Sequence, residues 1–468
     1  MIELEFIGAA QTVTGSKHLL RTSRATVLLD CGMFQGHRQE AFEKNRNIPI
    51  DTRKLDAVVL SHAHIDHSGA LPSLYKKGYR GPIYATPATR DLCSPMLLDT
   101  AHIMKSDAEH LDRLIKRGVH GIHRSEPIYD QNDVVGTLSL MVGLPYHRRQ
   151  TIAPGIDLTF YDAGHVLGSA ICVLDIEDEG RNLRLAFTGD LGRKHLPILR
   201  SPEVPEGVSC LLMESTYGDR LHEPIELTGD ALADAINRTH ARGGKIVIPT
   251  FALERAQEVI YVLKKLRDQK RIPAIPVYVD SPLTVKLTDV FKLHPECYDR
   301  ETFELLHSRN SPFEFPGLIY VSEAEDSKRI DTEKGSSIIL SASGMCEGGR
   351  VLHHLQATIE DPKNTVLIVG YQAENTLGRR IVEGRPEVRI YGETLRLKAE
   401  VRVLNGFSGH ADQNGLIEFP ESLRSSGPLS RIVLVHGEPV PQEILSQKLR
   451  AHGFAQIDIP RPGDRVRL

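Results

Sequence analysis

The densest chemistry in the chain is SHAHIDHSGALP at Ser61–Pro72, which carries His62, His64, Asp66 and His67 in six consecutive positions. The block follows the apolar run Ala57–Leu60. In an extended segment residues i and i+2 share a face, so His62 and His64 can grip one ion. A turn at Ile65 then presents Asp66 and His67 to a second ion. Imidazole and carboxylate donors suit zinc, with bond lengths of ~2.0–2.2 Å. Two later segments end strand-like runs in the same way. Leu158–Tyr161 leads into DAGHVLGSA with His165, and Leu183–Phe187 leads into TGDLG with Asp190. They add a third histidine for one ion and a carboxylate able to bridge two. Asp30 closes the run Thr26–Leu29. There it suits an acceptor that orients a ligand loop from behind.

Such residues need strands that end together. Residues 1–214 read as short strands at Leu4–Ile7, His18–Leu20, Thr26–Leu29 and Ala57–Leu60. A second sheet follows with Leu158–Tyr161, Ala170–Ile176 and Leu183–Phe187. Helical patterns cover Ser68–Lys77 and Thr89–Lys116. From Gly229 the rhythm changes. Helix Asp230–Arg242, strand Lys245–Ile248, helix Leu253–Asp268 and strand Val277–Val279 alternate, with further strands at Leu318–Val321, Ser337–Leu340 and Val366–Val369. That β-α alternation predicts a parallel sheet covered by helices. Val401–Leu404 and Ile432–Val435 return to the first style. The expected organisation is a first domain over 1–214, an inserted domain over 215–400, and the close of the first domain over 401–468.

Composition narrows the partners. The chain has 468 residues, with 57 Lys+Arg against 61 Asp+Glu and a net charge of −4. A 40% hydrophobic, 25% charged balance is that of a soluble globular protein of two or three domains. No basic coat announces nucleic acid, so any such binding must use a local patch. Cys31, Cys93, Cys172, Cys210, Cys297 and Cys346 form no CxxC pair, which argues against a disulfide framework and for a reducing compartment. The start, MIELEFIGAA, is acidic where a signal peptide is basic. No run approaches the ~18 apolar residues of a membrane span. A cytoplasmic protein without membrane association is expected.

In order along the chain, Asp30, the HxHxDH block, His165 and Asp190 resemble the motifs of the metallo-β-lactamase superfamily. The resemblance implies an α/β fold, a four-layer αββα sandwich with a dinuclear metal site at the edge of two sheets. Further on, the strand Cys210–Met213 runs into ESTYGDR, beginning at Glu214. NGFSGHADQ holds His410 and Asp412, and Ile432–Val435 delivers His436 in HGE. These resemble motifs A, B and C of the β-CASP nucleases. That group includes RNase J, the endonuclease subunit that cleaves pre-mRNA before polyadenylation, and shorter prokaryotic ribonucleases. The insertion falls between motifs A and B, where that family carries its β-CASP domain, a parallel sheet with helices on both faces. Histidine at motif C, here His436, is similar to the RNA-cutting members and unlike the DNA-repair members.

By that resemblance His62, His64 and His165 hold one zinc ion, and Asp66, His67 and His436 hold the other. Asp190 bridges them, and manganese is an alternative metal. Two ions ~3.5–4 Å apart can hold a hydroxide for in-line attack on phosphorus. His410, polarised by Glu214, is implied as the general acid for the leaving oxygen. Catalysis would thus rest on Asp66, Asp190, Glu214 and His410. The implied activity is metal-dependent RNA phosphodiester hydrolysis, endo- or 5′-exonucleolytic. The alternatives are a DNA-acting nuclease, or a small-molecule hydrolase on the same fold, which would lack the insertion. A non-catalytic RNA-binding scaffold would lack metal ligands, and none is missing.

Phosphate contact is expected in the inserted domain. SASGMCEGGR at Ser341–Arg350 is a small-residue strand-to-helix turn, whose exposed N–H groups suit phosphate. Ser341, Ser343 and Gly344 are the candidates there. YQAENTLGRR offers Gln372, Thr376, Arg379 and Arg380, and FALERAQE offers Arg255. These segments resemble β-CASP segments that line the substrate cleft. With no Trp, base stacking must come from Tyr, Phe, His or Arg. The partner expected is single-stranded RNA, and a homodimer is left open. The termini resemble the short bacterial form, without KH modules or an RNase J-type C-terminal domain. His102, His110, His120, His123 and His147 read as solvent-facing, while His353 and His354 adjoin the phosphate-like loop.

Overall fold

The computed structural model describes residues 1–36, 38–117, 126–308 and 310–468. His120 and His123 lie outside the described residues. The chain forms two compact units. One contains Met1–Lys194, Ser201–Leu221 and His410–Leu468, and the other His195–Arg200 and His222–Gly409. Among the described residues, no helix is long and apolar enough to cross a membrane.

In the first unit, short apolar runs become strands β1 (Glu3–Gly8), β2 (Lys17–Arg21), β3 (Thr26–Leu29), β4 (Ala57–Val59), β5 (Ile83–Ala85) and β6 (Met141–Gly143). A second set follows as β7 (Gln150–Ala153), β8 (Ile156–Asp162), β9 (Ala170–Asp178), β10 (Arg181–Phe187) and β11 (Cys210–Glu214).

The other unit supplies β12 (Ile246–Pro249), β13 (Val277–Asp280), β14 (Leu318–Val321), β15 (Ile338–Ser341), β16 (Thr365–Ile368), the hairpin β17 (Glu387–Ile390) and β18 (Glu393–Arg396), and β19 (Glu400–Val403). Six of these make a parallel sheet in the order β14-β13-β15-β12-β16-β19. Its four inner strands, β13, β15, β12 and β16, are buried along their whole length, as strands covered on both faces must be. On one side Val247, Ile339, Val366 and Ile368 pack with Val351, Leu355 and Ile381 from the helices Val351–Thr358 and Leu377–Val382.

Both expected boundaries move: residues 215–221 belong to the first unit and residues 401–409 to the other. Val401–Leu404 was assigned above to the close of the first domain, but β19 pairs in parallel with β16, Val366 opposite Val401. EVRV is a partly buried edge strand, a pattern that fits either sheet, and long-range pairing decides. Residues 195–200 also join this unit. Leu199 bridges Tyr298, and Asp299 N–H donates to Ile198 O at 2.8 Å.

The chain then returns to the first unit with β20 (Arg431–Val435), β21 (Gln456–Asp458) and β22 (Arg465–Arg467). Two seven-stranded mixed sheets result, β22-β1-β2-β3-β4-β5-β6 and β21-β20-β11-β10-β9-β8-β7. Leu4, Phe6, Val27 and Val59 of the first pack against Leu158, Cys172, Leu185, Leu212 and Val433 of the second. The alternate residues Ile171, Val173, Leu211, Met213 and Ile432 face outward and meet Leu416, Leu423, Leu445 and Leu449 of the helices Gln413–Ser426 and Pro439–Ala451. A period of two thus sends one half of each run to the inter-sheet core and the other half under helices.

This topology gathers strand ends. β10, β11 and β20 are parallel neighbours, and β8 runs with them because two antiparallel pairings separate it from β10. In the other sheet β3 and β4 are parallel. Asp30, His62, His64, Asp66, His67, His165, Asp190 and His436 come just after β3, β4, β8, β10 and β20, and Glu214 is the last residue of β11.

Candidate metal centre and the histidine–glutamate pair

Ser61 lies two residues beyond β4, and the turn after it becomes a short helix, Ile65–Ser68, with His64 at its N-terminal cap position. His62 and His64 precede the helix, while Asp66 and His67 ride on it. His165 sits in the loop after β8. Asp190 sits after β10, behind Gly189, whose φ of +53° and contact with Ser61 leave no room for a side chain. His436 follows β20 directly and takes a φ of +49°.

The donor atoms converge in two sets. His62 Nε2 lies 3.2 Å from His64 Nδ1, which lies 3.3 Å from His165 Nε2. Asp190 Oδ2 is 3.4 Å from His62 Nε2 and 3.5 Å from His165 Nε2. In the second set His67 Nε2 is 3.1 Å from His436 Nε2, which is 3.6 Å from Asp66 Oδ2. Asp190 Oδ1 is 3.3 Å from His67 Nε2. A tetrahedral ion with ligands at ~2.0–2.1 Å has ligand–ligand edges of about 3.3 Å, so both sets fit a metal of that size. Asp190 Oδ1 is buried and has no hydrogen-bond partner. An orphaned carboxylate oxygen among imidazoles is costly unless a cation satisfies it.

The charge states agree. Burial, with the charge of His67 next, lowers the pKa of His62. Burial with its neighbours pushes His64 down to about 3, and burial with His410 holds His165 well below the usual range. These three rings are neutral at pH 7, the form that binds a metal. His67 differs. Burial opposes its charged form, but the carboxylates of Asp190 and Asp30 prevail and raise it. Burial works against a charged Asp190, but His436, His67, His410 and the contact with His62 hold its carboxyl well below the usual range.

Asp30 stands behind the second set. Its Oδ2 is 2.7 Å from His67 Nδ1, so the ring is held from behind. Asp30 also accepts from Ser61 N–H at 2.8 Å, from Ser61 Oγ at 3.0 Å and from Ser16 Oγ at 3.1 Å. Its φ of +57° is a conformation that Asp adopts more readily than most residues. Ser16 and Ser61 were not singled out from sequence. Ser61 adjoins His62 and was within reach; Ser16 carries no local signal.

His410 Nδ1 lies 3.0 Å from Glu214 Oε1. The His410 segment is tied to the Asp190 loop by a bridge between Gly192 and His410 and by Ala411 N–H donating to Leu191 O at 2.7 Å. Its Nε2 is 4.0 Å from Asp190 Oδ2. Glu214 is within reach of a third donor group with Asp190 and His436. Its oxygens are already engaged by His410, Leu191 N–H at 2.6 Å and Thr216 N–H at 3.3 Å, which marks it as a positioning group rather than a ligand. Burial works against a charged His410, but Glu214 and Asp190 raise it to about 9.

Residues 19–183 match a metallo-beta-lactamase superfamily domain, 256–381 a Beta-Casp domain, and 394–460 a Zn-dependent metallo-hydrolase RNA specificity domain. A ribonuclease of Thermus thermophilus is 38% identical over 98% of both chains. The chain belongs to the β-CASP family of the metallo-β-lactamase superfamily. Transcription termination factor FttA of Methanosarcina mazei is 34% identical over 93% of this chain and 67% of its own. A crystal structure of an Enterococcus faecalis protein of unknown function shares the fold, with a TM-score of 0.56 at 13% identity over 99% of each chain.

The β-CASP unit treats the expected phosphate contacts unevenly. Ser341 is buried and its Oγ donates to Asp280 O at 2.9 Å. Gln372 is buried too, its Nε2 donating to Gly344 O at 2.9 Å and Gly370 O at 3.2 Å. Ser343 Oγ accepts from Glu347 N–H, and Thr376 caps the helix Leu377–Val382. Arg379 pairs with Glu383 at 2.9 Å, and Arg255 with Glu258. Ser341 and Gln372 thus shape the loops from within, whereas the Arg379–Glu383 pair stays at the surface. A cluster missed from sequence lies beneath them. His354 Nε2 and Arg350 Nη1 each meet Asp280 at 2.6 Å, and His354 Nδ1 meets Asp331 at 2.6 Å. The spacing of Arg350 and His354, four residues apart near a helix start, was the available signal.

Proposed function

We propose that this β-CASP protein is a metal-dependent RNA phosphodiesterase, with two zinc ions as the resident metals and manganese as the alternative. The observation that carries the reading is the pair of donor sets sharing Asp190, with a Glu214-held histidine beside them. His62, His64 and His165 would hold one ion, and Asp66, His67 and His436 the other. Bound there, divalent ions supply Lewis acidity toward phosphate and an activated water.

The protein's own residues do the rest. Asp30 orients His67 through Nδ1 and leaves Nε2 facing the site. Glu214 accepts at His410 Nδ1, which directs Nε2 toward the same site. His410 raised to about 9 carries a proton at neutral pH and acts as general acid on the leaving oxygen. RNA as the substrate class is supported by a relative named as a ribonuclease along nearly its whole length. The six cysteines are free and buried, which fits a cytoplasmic setting.

The test is cleavage of end-labelled single-stranded RNA and DNA by the purified chain, with and without chelator, beside His62→Ala. RNA cleavage that needs metal and His62 is expected, and product lengths report endo- or exonucleolytic action. Metal-independent cleavage, or none, overturns the reading.

A further inference from the structure

The parallel sheet of the β-CASP unit has a point where its connections diverge. β12 and β16 are neighbours. From β12 the chain crosses toward the β13 side, whereas from β16 it crosses toward β19 at the other edge. Crossovers between parallel strands are right-handed, so the two connections cover opposite faces. A crevice then opens between the carboxyl ends of β12 and β16, the place where open α/β sheets bind ligands.

Two aromatic side chains stand there in solvent. Phe251, just after β12, is 42% exposed, and Tyr371, just after β16, is 55% exposed. Phe6, Phe160, Phe187, Phe291, Phe313 and Phe407 are by contrast fully buried. Phe303 and Tyr391, the other exposed aromatics among the described residues, rest on His307 and His353, with ring centroids 4.2 and 4.9 Å apart. Phe251 instead lies over glycine. A Cβ at Gly344 would meet its ring at 2.9 Å, and one at Gly370 would come within 3.8 Å. The small residues of the 341–350 loop therefore make room for one face of this ring.

We infer that Phe251 and Tyr371 are stacking platforms for unpaired bases of single-stranded RNA at the β12–β16 crevice. The inference rests on the ribonuclease reading above and adds how substrate bases are held. Every base has a π face, so such platforms grip RNA without reading sequence. They also account for base contact in a chain that has no tryptophan.

That absence gives the test. Phe251→Trp introduces a sole tryptophan into the full-length, metal-loaded protein. Its fluorescence is expected to be quenched by oligoadenylate in stopped flow, and to be unaffected by an abasic ribose-phosphate oligomer of equal length. Phe251→Ala and Tyr371→Ala should each raise KM for oligoadenylate about tenfold, with Phe251→Trp restoring it. Metal content and melting temperature should stay at wild-type values. A KM within twofold of wild type in Phe251→Ala, or equal quenching by the abasic oligomer, overturns the inference. If metal-dependent RNA cleavage persists in that case, the ribonuclease reading stands. A protein that neither binds nor cleaves oligoadenylate overturns both.

Discussion

His410 Nδ1 lies 3.0 Å from Glu214 Oε1, and the same carboxylate oxygen accepts Leu191 N–H at 2.6 Å, one residue beyond Asp190. The proposed acid–base pair is thus fixed to the loop that carries Asp190, the proposed shared ligand. His410→Ala should retain both metals and slow single-turnover cleavage by roughly 10²–10⁴. Metal analysis and rapid-quench kinetics on the same sample check both halves. Glu214→Gln removes the charge that raises His410. The ring then loses its proton at lower pH, so the alkaline limb of the rate profile should move toward neutrality. An unmoved limb would show that His410 is not the proton donor.

The two donor sets give different expectations for their members. Of the two donor sets that meet at Asp190, His436 faces the one with Asp66 and His67. His436→Ala should therefore leave one ion in place and weaken the other. Asp190 faces both sets through separate oxygens. Asp190→Asn should reduce both occupancies and abolish cleavage, since a two-ion site needs both for charge neutralisation. Equilibrium dialysis followed by elemental analysis distinguishes these patterns. Full retention of both ions in either variant contradicts the assignment.

Asp30 touches no donor atom of the first set and acts through His67 Nδ1 at 2.7 Å. Asp30→Asn keeps the shape but offers an amide that can donate to the wrong tautomer. Metal affinity should fall by roughly 10–100-fold, as for other carboxylates behind a ligating histidine. Competition with a chromophoric chelator measures it. Added metal in excess should restore cleavage to Asp30→Asn and leave His62→Ala inactive.

How much of this was legible depends on where each partner lies along the chain. His62, His64, Asp66 and His67 are local, and their types and spacing state their chemistry. His165, Asp190, Glu214 and His436 are legible because each ends an apolar run, the one place a strand can present a side chain to a shared edge. Ser16, fourteen residues from Asp30, has no such marker. Asp280 and His354 are separated by 74 positions and meet through strand order alone. The edge strand β19 was misassigned because its pairing partner, not its pattern, decides its sheet. Ser341 and Gln372 have the polar side chains of phosphate binders, yet burial turns both inward.

The His354–Asp280 contact also makes the β-CASP unit sensitive to pH. Burial disfavours the charged ring, but the hydrogen bonds it donates to Asp280 and Asp331 raise the His354 pKa above its ordinary value. Burial likewise opposes the Asp280 carboxylate, and His354, Ser327 and Arg350 lower its pKa nonetheless. A raised histidine contributes stability that is complete below about 6.5, its unfolded value, and is lost as pH climbs through the folded value. A lowered carboxyl contributes stability that is complete above about 3.9 and is lost as pH falls through the folded value. The clamp should be strongest between those limits. Removing His354 leaves Asp280 with Arg350 and Ser327 as side-chain partners but takes away its buried hydrogen bond to the ring, so His354→Leu should cost about 1–3 kcal/mol near pH 6. Urea titrations of wild type and variant across pH 4–9 check this, and the difference in midpoint should shrink as pH rises above 7. A difference that stays constant over that range would show that His354 packs there uncharged.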